Sequence, residues 1–547
     1  MIGKSIMNSI VRLPFVLLFT ALFFPLLLQA SDRPRLVVVI SVDQMRADYF
    51  ERFEKNFSGG FRRLYDEGIK YVNTDLNYSN SATGPGHASL STGTYPRVSG
   101  IANNDWVERS TRKGMYCVFD SLERVVEDSG VVASPRNLKV TGLADWIKQN
   151  IKGSKAISLS IKDRVGVLLG GKKPDYGFWY ERTTGRFITS TYYTASLPKW
   201  MKDFNASGWY EKNVPSKWEK LLPESEYALL GPDEQQGEYQ WDGKTTFPHT
   251  FDPAQMIARI LITPWGDLLV LDATKAAILG EQLGMRGTTD YVGIGLSCTD
   301  YVGHAFGPDS HEMFDHLVRV DRKLGEFFAF LDETIGKEHY MVALSADHGV
   351  MPLPEVLAQK GLKARRVPYN TEINPGFMLA NQQLMRRLSI NTNTIEQRSF
   401  LRYDLAVAQG IDSVQFENMV EEELRKIDAV EDVLFRRELE GSAPSANTLI
   451  EKFRNAYFSE RAGDFVVQYK ENHLLTSGKT GTSHGTVWGY DTRIPLVFWR
   501  HGVAPAFITD RSAVVDMAPT IAAILGIKTP PTVLGTPLPY ALQHMKR

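Results

Sequence analysis

The chain has 547 residues, 43% of them hydrophobic and 23% charged, with 62 bases against 63 acids. Those values describe a large globular protein and exclude a disordered or fibrous chain. A net charge of −1 also lacks the concentrated basic face that binding to a phosphate backbone needs, so no nucleic-acid partner is expected.

At the N-terminus, Lys4 and Arg12 precede an apolar run from Leu13 to Leu28, and Gln29-Ala30-Ser31-Asp32 then turns polar. These are the parts of a secretory signal peptide spanning 1–30, cut after Ala30. Leu28 is bulkier than the small residue preferred three positions before a cut, which leaves an uncleaved anchor open. A periplasmic or secreted protein is expected, touching a membrane only through this segment. No later stretch reaches the ~18 apolar residues of a membrane span.

Three apolar runs then read as buried parallel strands, each leading to an acid. Arg35 to Val42 precedes Asp43, Tyr291 to Cys298 precedes Asp300, and Met341 to Ser345 precedes Asp347. Continuous rather than alternating hydrophobicity implies burial on both faces. Helical patterns lie between them at Phe61 to Glu67, Asp272 to Leu283 and Met313 to Leu331. The fold class is therefore α/β, a mostly parallel central sheet sandwiched by helices, with inserted cap regions. Ligands of such sheets bind at the carboxyl ends of the strands, where the three acids would meet. One catalytic domain over 31–547 is expected to carry two insertions. Residues 170–260, rich in Trp and Tyr, read as a cap of loops and short hairpins. Residues 354–470 read as a small α+β insertion with a helix from Phe416 to Ile427 and a strand at Gly376-Phe377-Met378-Leu379. The two cysteines, Cys117 and Cys298, are too few for a thiolate metal site. Cys298 reads as a buried free thiol, although export would permit the two to pair.

Several short motifs carry chemistry. In Ser345-Ala346-Asp347-His348-Gly349, adjacent Asp and His at a strand end could reach one ion, although the same residues could form an ordinary turn. Asp300 and His304, four apart just past a strand, could share one face of a turn, or be a helix cap and a surface histidine. His484 lies in a small-residue loop, where a lone histidine is often only a hydrogen-bonding group. Together with Asp43, these carboxylates and imidazoles suit zinc or a similar ion. Two such ions could clamp the attacking and leaving oxygens of an in-line displacement. In Asn80-Ser81-Ala82-Thr83-Gly84-Pro85-Gly86-His87, the Thr83 hydroxyl stands at a helix start, where an anion is favoured, or serves only as an N-cap. Lys162 and Arg164, two apart on an extended segment, would point the same way and meet a doubly charged phosphoryl group, or form a solvated charge cluster.

With these residues in place the chain resembles the alkaline phosphatase superfamily, most closely its phosphate-irrepressible, PafA-type phosphomonoesterases, from about residue 35 to 535. The resemblance rests on Ser-Val-Asp43-Gln, Thr83-Gly-Pro-Gly-His, Asn103-Asn104-Asp105-Trp106, Lys162-Asp163-Arg164, Asp300-Tyr-Val-Gly-His304, Asp347-His348-Gly349 and Ser483-His484-Gly485. It implies two zinc ions per chain. Asp300, His304 and His484 would hold one; Asp43, Asp347 and His348 would hold the other, with Thr83 as a further ligand. Thr83 would be the nucleophile of a phosphothreonine mechanism acting on small-molecule phosphate monoesters. Asn104, Lys162 and Arg164 would bind the phosphoryl group, with the last two marking the monoesterase branch. His87 and Asp309 are assigned to structural hydrogen bonding. Sulfatase relatives need a Cys or Ser in a different motif, and no ligands for a third, magnesium site are recognisable.

Two other readings stay open. A nucleotide pyrophosphatase or phosphodiesterase would use the same scaffold and metals, and differ at Lys162 and Arg164. A non-catalytic phosphate-binding protein would keep the fold but need not keep every ligand and the nucleophile. A cytosolic phosphoglycerate mutase conflicts with the signal segment and with Thr83.

Overall fold

The computed structural model describes residues 1–2, 33–252, 255–397 and 399–546. The expected signal segment, beyond its first two residues, lies outside the described residues. The strand Leu36–Val42 (β1) explains the architecture by composition alone. Leu36, Val37, Val38, Val39, Ile40 and Val42 are all fully buried, each contributing about 1.5–3 kcal/mol. Only a sheet covered on both faces can bury such a run.

The central sheet continues in chain order with Ile69–Asp75 (β2), Ala156–Ser160 (β3), Tyr176–Glu181 (β4), Arg186–Ile188 (β5), Asp290–Leu296 (β6), Tyr340–Ser345 (β7), Arg493–Arg500 (β8), Ala506–Ile508 (β9) and Ser512–Ala513 (β10). Their spatial order is β9-β2-β8-β7-β1-β6-β3-β4-β5, with β10 beside β2. From β7 through β4 all neighbours run parallel. β8 is antiparallel to β7 and to β2. In register, Ser41 of β1 faces Gly295 of β6 and Ser345 of β7. The three strands read from sequence are thus adjacent and end together, which brings their acids to one edge. The fold is the expected α/β class, a large mixed sheet flanked by helices.

Five helices frame this edge: Thr83–Thr92 (α1), Asp163–Leu169 (α2), Pro264–Glu281 (α3), Cys298–Phe306 (α4) and His311–Thr334 (α5). Glycines let α2 lie against β6. A Cβ at Gly295 would come within 2.2 Å of Val165, and one at Gly293 within 3.2 Å of Leu169. That close approach is why glycine interrupts an otherwise apolar strand. Arg33–Arg547 forms one compact unit.

Four local expectations differ from the structure. Cys298 does not end β6; it begins α4, because the strand stops at Leu296 and Asp267 accepts a hydrogen bond from the Cys298 amide at 2.9 Å. Residues 376–379 are helical, within Asn374–Leu388. Pro375 starts that helix, and its buried positions Phe377, Ala380, Leu384 and Leu388 repeat at three and four, a helical period. The aromatic run Phe178-Trp179-Tyr180 is not in a loop but in β4, paired with β3 and buried. Lys162 and Arg164 do not share an extended segment. Lys162 is the last extended residue, and α2 begins between them at Asp163.

Candidate active site

Thr83 is the first residue of α1, with Ala82 extended before it as the cap position. The hydroxyl is therefore not an N-cap; it belongs to the first turn, in which Gly84 N–H donates to Asn104 Oδ1, Gly86 N–H donates to Ala82 O, and Pro85 has no N–H. α1 has no amphipathic pattern, since all ten of its residues are buried. Gly86 allows the helix to press on the strand end: a Cβ there would stand 2.5 Å from both Asp347 Cβ and its carbonyl oxygen.

The expected ligands converge. Ligand atoms of Asp43, Asp347 and His348 lie within 4.8 Å of one another, and so do those of Asp300, His348 and His484. His304 stands beside the second triple, its Nε2 3.3 Å from Asp300 Oδ1, while His484 Nε2 is 3.4 Å from the same oxygen. His348, expected in one set only, thus reaches both, and its ring stacks on His484 at 3.6 Å.

The chemistry of the donors fits metal ions. Each imidazole turns its other nitrogen to a backbone carbonyl: His304 Nδ1 to Thr482 at 2.7 Å, His484 Nδ1 to Ser81 at 2.6 Å, His348 Nδ1 to Gly349 at 2.9 Å. Such bonds make Nδ1 the protonated nitrogen and leave the Nε2 lone pair for a cation. His348 Nε2 and Asp43 Oδ1 are buried with no hydrogen-bond partner, and Asp347 Oδ2 lies 3.2 Å from both His348 Nε2 and His87 Nδ1. Burial, with Asp347 and Asp300 adding to it, pushes Asp43 up to about 7. Burial and then His348 push His484 down to about 3, keeping it neutral. Three crowded carboxylates of this kind are relieved by positive charge.

Part of that charge comes from Lys162, whose Nζ lies 2.7 Å from Asp43 Oδ2 and 2.6 Å from Asp300 Oδ2. Its side chain is 2% exposed. Arg164 goes elsewhere: its Nη2 donates to Thr83 Oγ1 at 3.3 Å. Asn104 lies next to Thr83, with its Oδ1 accepting from Gly84 N at 2.6 Å, so its amide NH2 is the end left to donate. Of the two residues assigned to structural bonding, His87 Nδ1 reaches Thr83 O at 2.9 Å and Asp347 Oδ2 at 3.2 Å. Asp309 pairs with Arg52 at 2.8 Å.

Sequence reasoning missed three supporting residues. Gln44, at φ +68, donates its amide N–H to Asp347 Oδ1 at 3.1 Å and its side chain to Asp300 Oδ1 at 2.8 Å, joining the two acid sets. Its position directly after Asp43 was the available signal. Tyr116 and Asp163 hold Arg164: the Tyr116 hydroxyl donates to Asp163 Oδ1 at 2.5 Å and accepts from Arg164 Nη1 at 3.4 Å. Nothing local in the sequence marks Tyr116.

Residues 37–497 match the family described as type I phosphodiesterase / nucleotide pyrophosphatase. A protein of Elizabethkingia meningoseptica named alkaline phosphatase PafA is 35% identical over 532 residues, covering 93% of this chain and 94% of its own. A protein of Myroides odoratus named calcium-transporting ATPase is 36% identical over 547 residues, covering 95% and 98%. The crystal structure of wild-type alkaline phosphatase PafA matches with a TM-score of 0.84 at 33% identity, over 93% of this chain and 98% of that one.

Proposed function

The chain belongs to the type I phosphodiesterase / nucleotide pyrophosphatase family, as an alkaline phosphatase of the PafA type, and from that premise we propose an exported, zinc-dependent phosphate-monoester hydrolase acting through phosphothreonine at Thr83. The observation that carries the reading is the meeting of Thr83 and Arg164 with two acid–histidine triples, whose acids lie just past β1, β6 and β7. Asp300, His304 and His484 would hold one zinc, and Asp43, Asp347 and His348 the other. When bound, the pair would polarise the phosphoryl group and neutralise charge developing on it.

The chain's own residues account for the rest. Thr83 Oγ gives its proton to solvent and attacks phosphorus, the ester oxygen departs with its bonding pair and takes a proton from solvent, and water later cleaves the phosphothreonine, releasing phosphate and returning the proton to Thr83 Oγ. Arg164 at the Thr83 hydroxyl and the Asn104 amide receive the phosphoryl oxygens. Carbonyl bonds to Nδ1 fix the tautomer and orientation of the three imidazoles. Asp43, Asp300 and Asp347 lie in a buried setting where each opposite charge counts for more than in water.

Residues 1–30 would direct export. The rest would form the catalytic domain, with insertions over about 170–260 and 354–470. No helix among the described residues is long and apolar enough to cross a membrane. The family's description favours phosphodiester cleavage as a second reading, and Lys162 with Arg164 favours monoesters.

One purified sample tests this. Metal analysis should find about two zinc ions per chain, and a chelator should abolish cleavage of an aryl phosphate. Thr83→Ala should keep the metals and lose roughly 10³-fold or more in kcat. Phosphate label should appear on Thr83 after an acid quench. Full activity in the alanine variant would end the proposal.

A further inference from the structure

A cleft of about 820 Å³ opens beside the site, between the hairpin of residues 105–116 and the segment of residues 453–488. Residues that adjoin the candidate site line it at both margins. On one side its lining holds Asn103, next to Asn104, and Tyr116, which contacts Arg164. On the other it holds Gly485 and Thr486, which follow His484. A Cβ at Gly485 would meet nothing within 4 Å, so the lining is open where it leaves the ligand histidine.

We propose that this cleft binds the alcohol portion of the phosphate ester and selects an uncharged aromatic alcohol. The inference rests on the phosphatase reading and deepens it. Trp106, Tyr116, Phe400, Tyr457, Tyr469 and Trp488 all line the cleft. Its volume suits a ligand of one or two rings. The Trp488 indole N–H donates to Tyr469 O at 3.1 Å, which orders the ring before any ligand arrives. Ordered aromatic partners add about 0.5–1.5 kcal/mol per ring pair beyond simple burial.

Charge argues against an anionic leaving group. The charged side chains of the described lining are Asp105 and Arg461. Arg461 is already engaged: its Nη1 donates to the carbonyls of Gly100 and Asn137, and its guanidinium lies 4.5 Å from the centre of the Trp106 ring. Asp105 would repel a second phosphate. A neutral ring meets neither difficulty.

The test compares ethyl phosphate with 2-phenylethyl phosphate, two monoesters of alkoxides similar in basicity, so that a rate ratio reports binding rather than leaving ability. The wild type should prefer the phenylethyl ester by about tenfold in kcat/KM. Trp488→Ala should cut that preference to about threefold or less. Val467→Trp, which fills the cleft, should erase it through KM. Both variants should stay within twofold of wild type on ethyl phosphate, which also reports that they fold. If the larger residue prevents folding, Trp488→Ala decides alone. A wild-type ratio near one, or a ratio unmoved in a folded variant, overturns the subsite while the phosphatase reading stands. No turnover of either ester by zinc-loaded wild type overturns both.

Discussion

Lys162 Nζ stands 2.6 Å from Asp300 Oδ2 and 2.7 Å from Asp43 Oδ2, while Arg164 Nη2 stands 3.3 Å from the Thr83 hydroxyl. The sequence suggests a pair of cations facing one phosphoryl group. The structure divides them, Lys162 between Asp43 and Asp300 and Arg164 at the Thr83 hydroxyl, because a helix starts at Asp163 and turns the second side chain away from the first. Both still add positive charge where a monoester brings two negative charges and a diester one. Losing a charge-assisted contact costs about 1.5–3 kcal/mol, roughly 10–100-fold in rate. The Lys162→Ala/Arg164→Ala double variant is therefore expected to lose about tenfold more kcat/KM on a phosphate monoester than on a matched diester. Equal losses on the two substrates would remove these residues from the account of specificity.

Element by element, what mattered was which faces touch. α1 was legible as a helix start from Thr83-Gly84-Pro85, but its docking on the strand end beyond β7 was not. That contact depends on Gly86, where a Cβ would stand 2.5 Å from Asp347 Cβ. Gly86→Ala sets two effects against each other. In a helix interior alanine is favoured over glycine by about 1 kcal/mol, whereas overpacking a tight contact costs about 1–3 kcal/mol. Because the clash is with Asp347 Cβ, carbonyl oxygen and Cα rather than the end of a flexible side chain, overpacking should win. The variant is expected to melt lower than wild type and to bind less metal, read by calorimetry and by metal analysis after dialysis. A raised melting temperature with full metal content would show that α1 can shift. The same contrast explains residues 376–379, where a short apolar run fits helix and strand equally until the neighbours on its buried face are known.

For the whole molecule, the segment of residues 237–239, ahead of α3, ties distant parts together. Tyr239 N donates to Ala305 O at 2.9 Å, and Gly481 N donates to Gly237 O at 2.6 Å. Between them Glu238 is buried, and one of its carboxylate oxygens lacks a partner. Burial first, and then the neighbouring Glu312, push it up from 4.5 to about 9. The folded chain thus keeps a proton that the unfolded chain releases, so stability falls as pH rises from about 4.5 to about 9 and levels off above. Glu238→Gln has no proton to lose. At pH 8 it should be more stable than wild type by at least about 1 kcal/mol, with little difference near pH 5. Melting temperatures at the two pH values check this, and parallel profiles would refute it.

The sequence by itself determined the fold class, the three strands that carry acids, and the acids and histidines of the candidate site. Those features are local: unbroken aliphatic runs demand burial on both faces, and short motifs set acids and histidines just past them. Only the tertiary structure decided that β7, β1 and β6 are neighbours, that His348 reaches both ligand triples, that Gln44 joins them, and that Tyr116 supports Arg164. These depend on strand order and helix docking, which bring together residues as far apart as Asp43 and His484. No local pattern carries such distances, because they arise from the packing of the entire sheet.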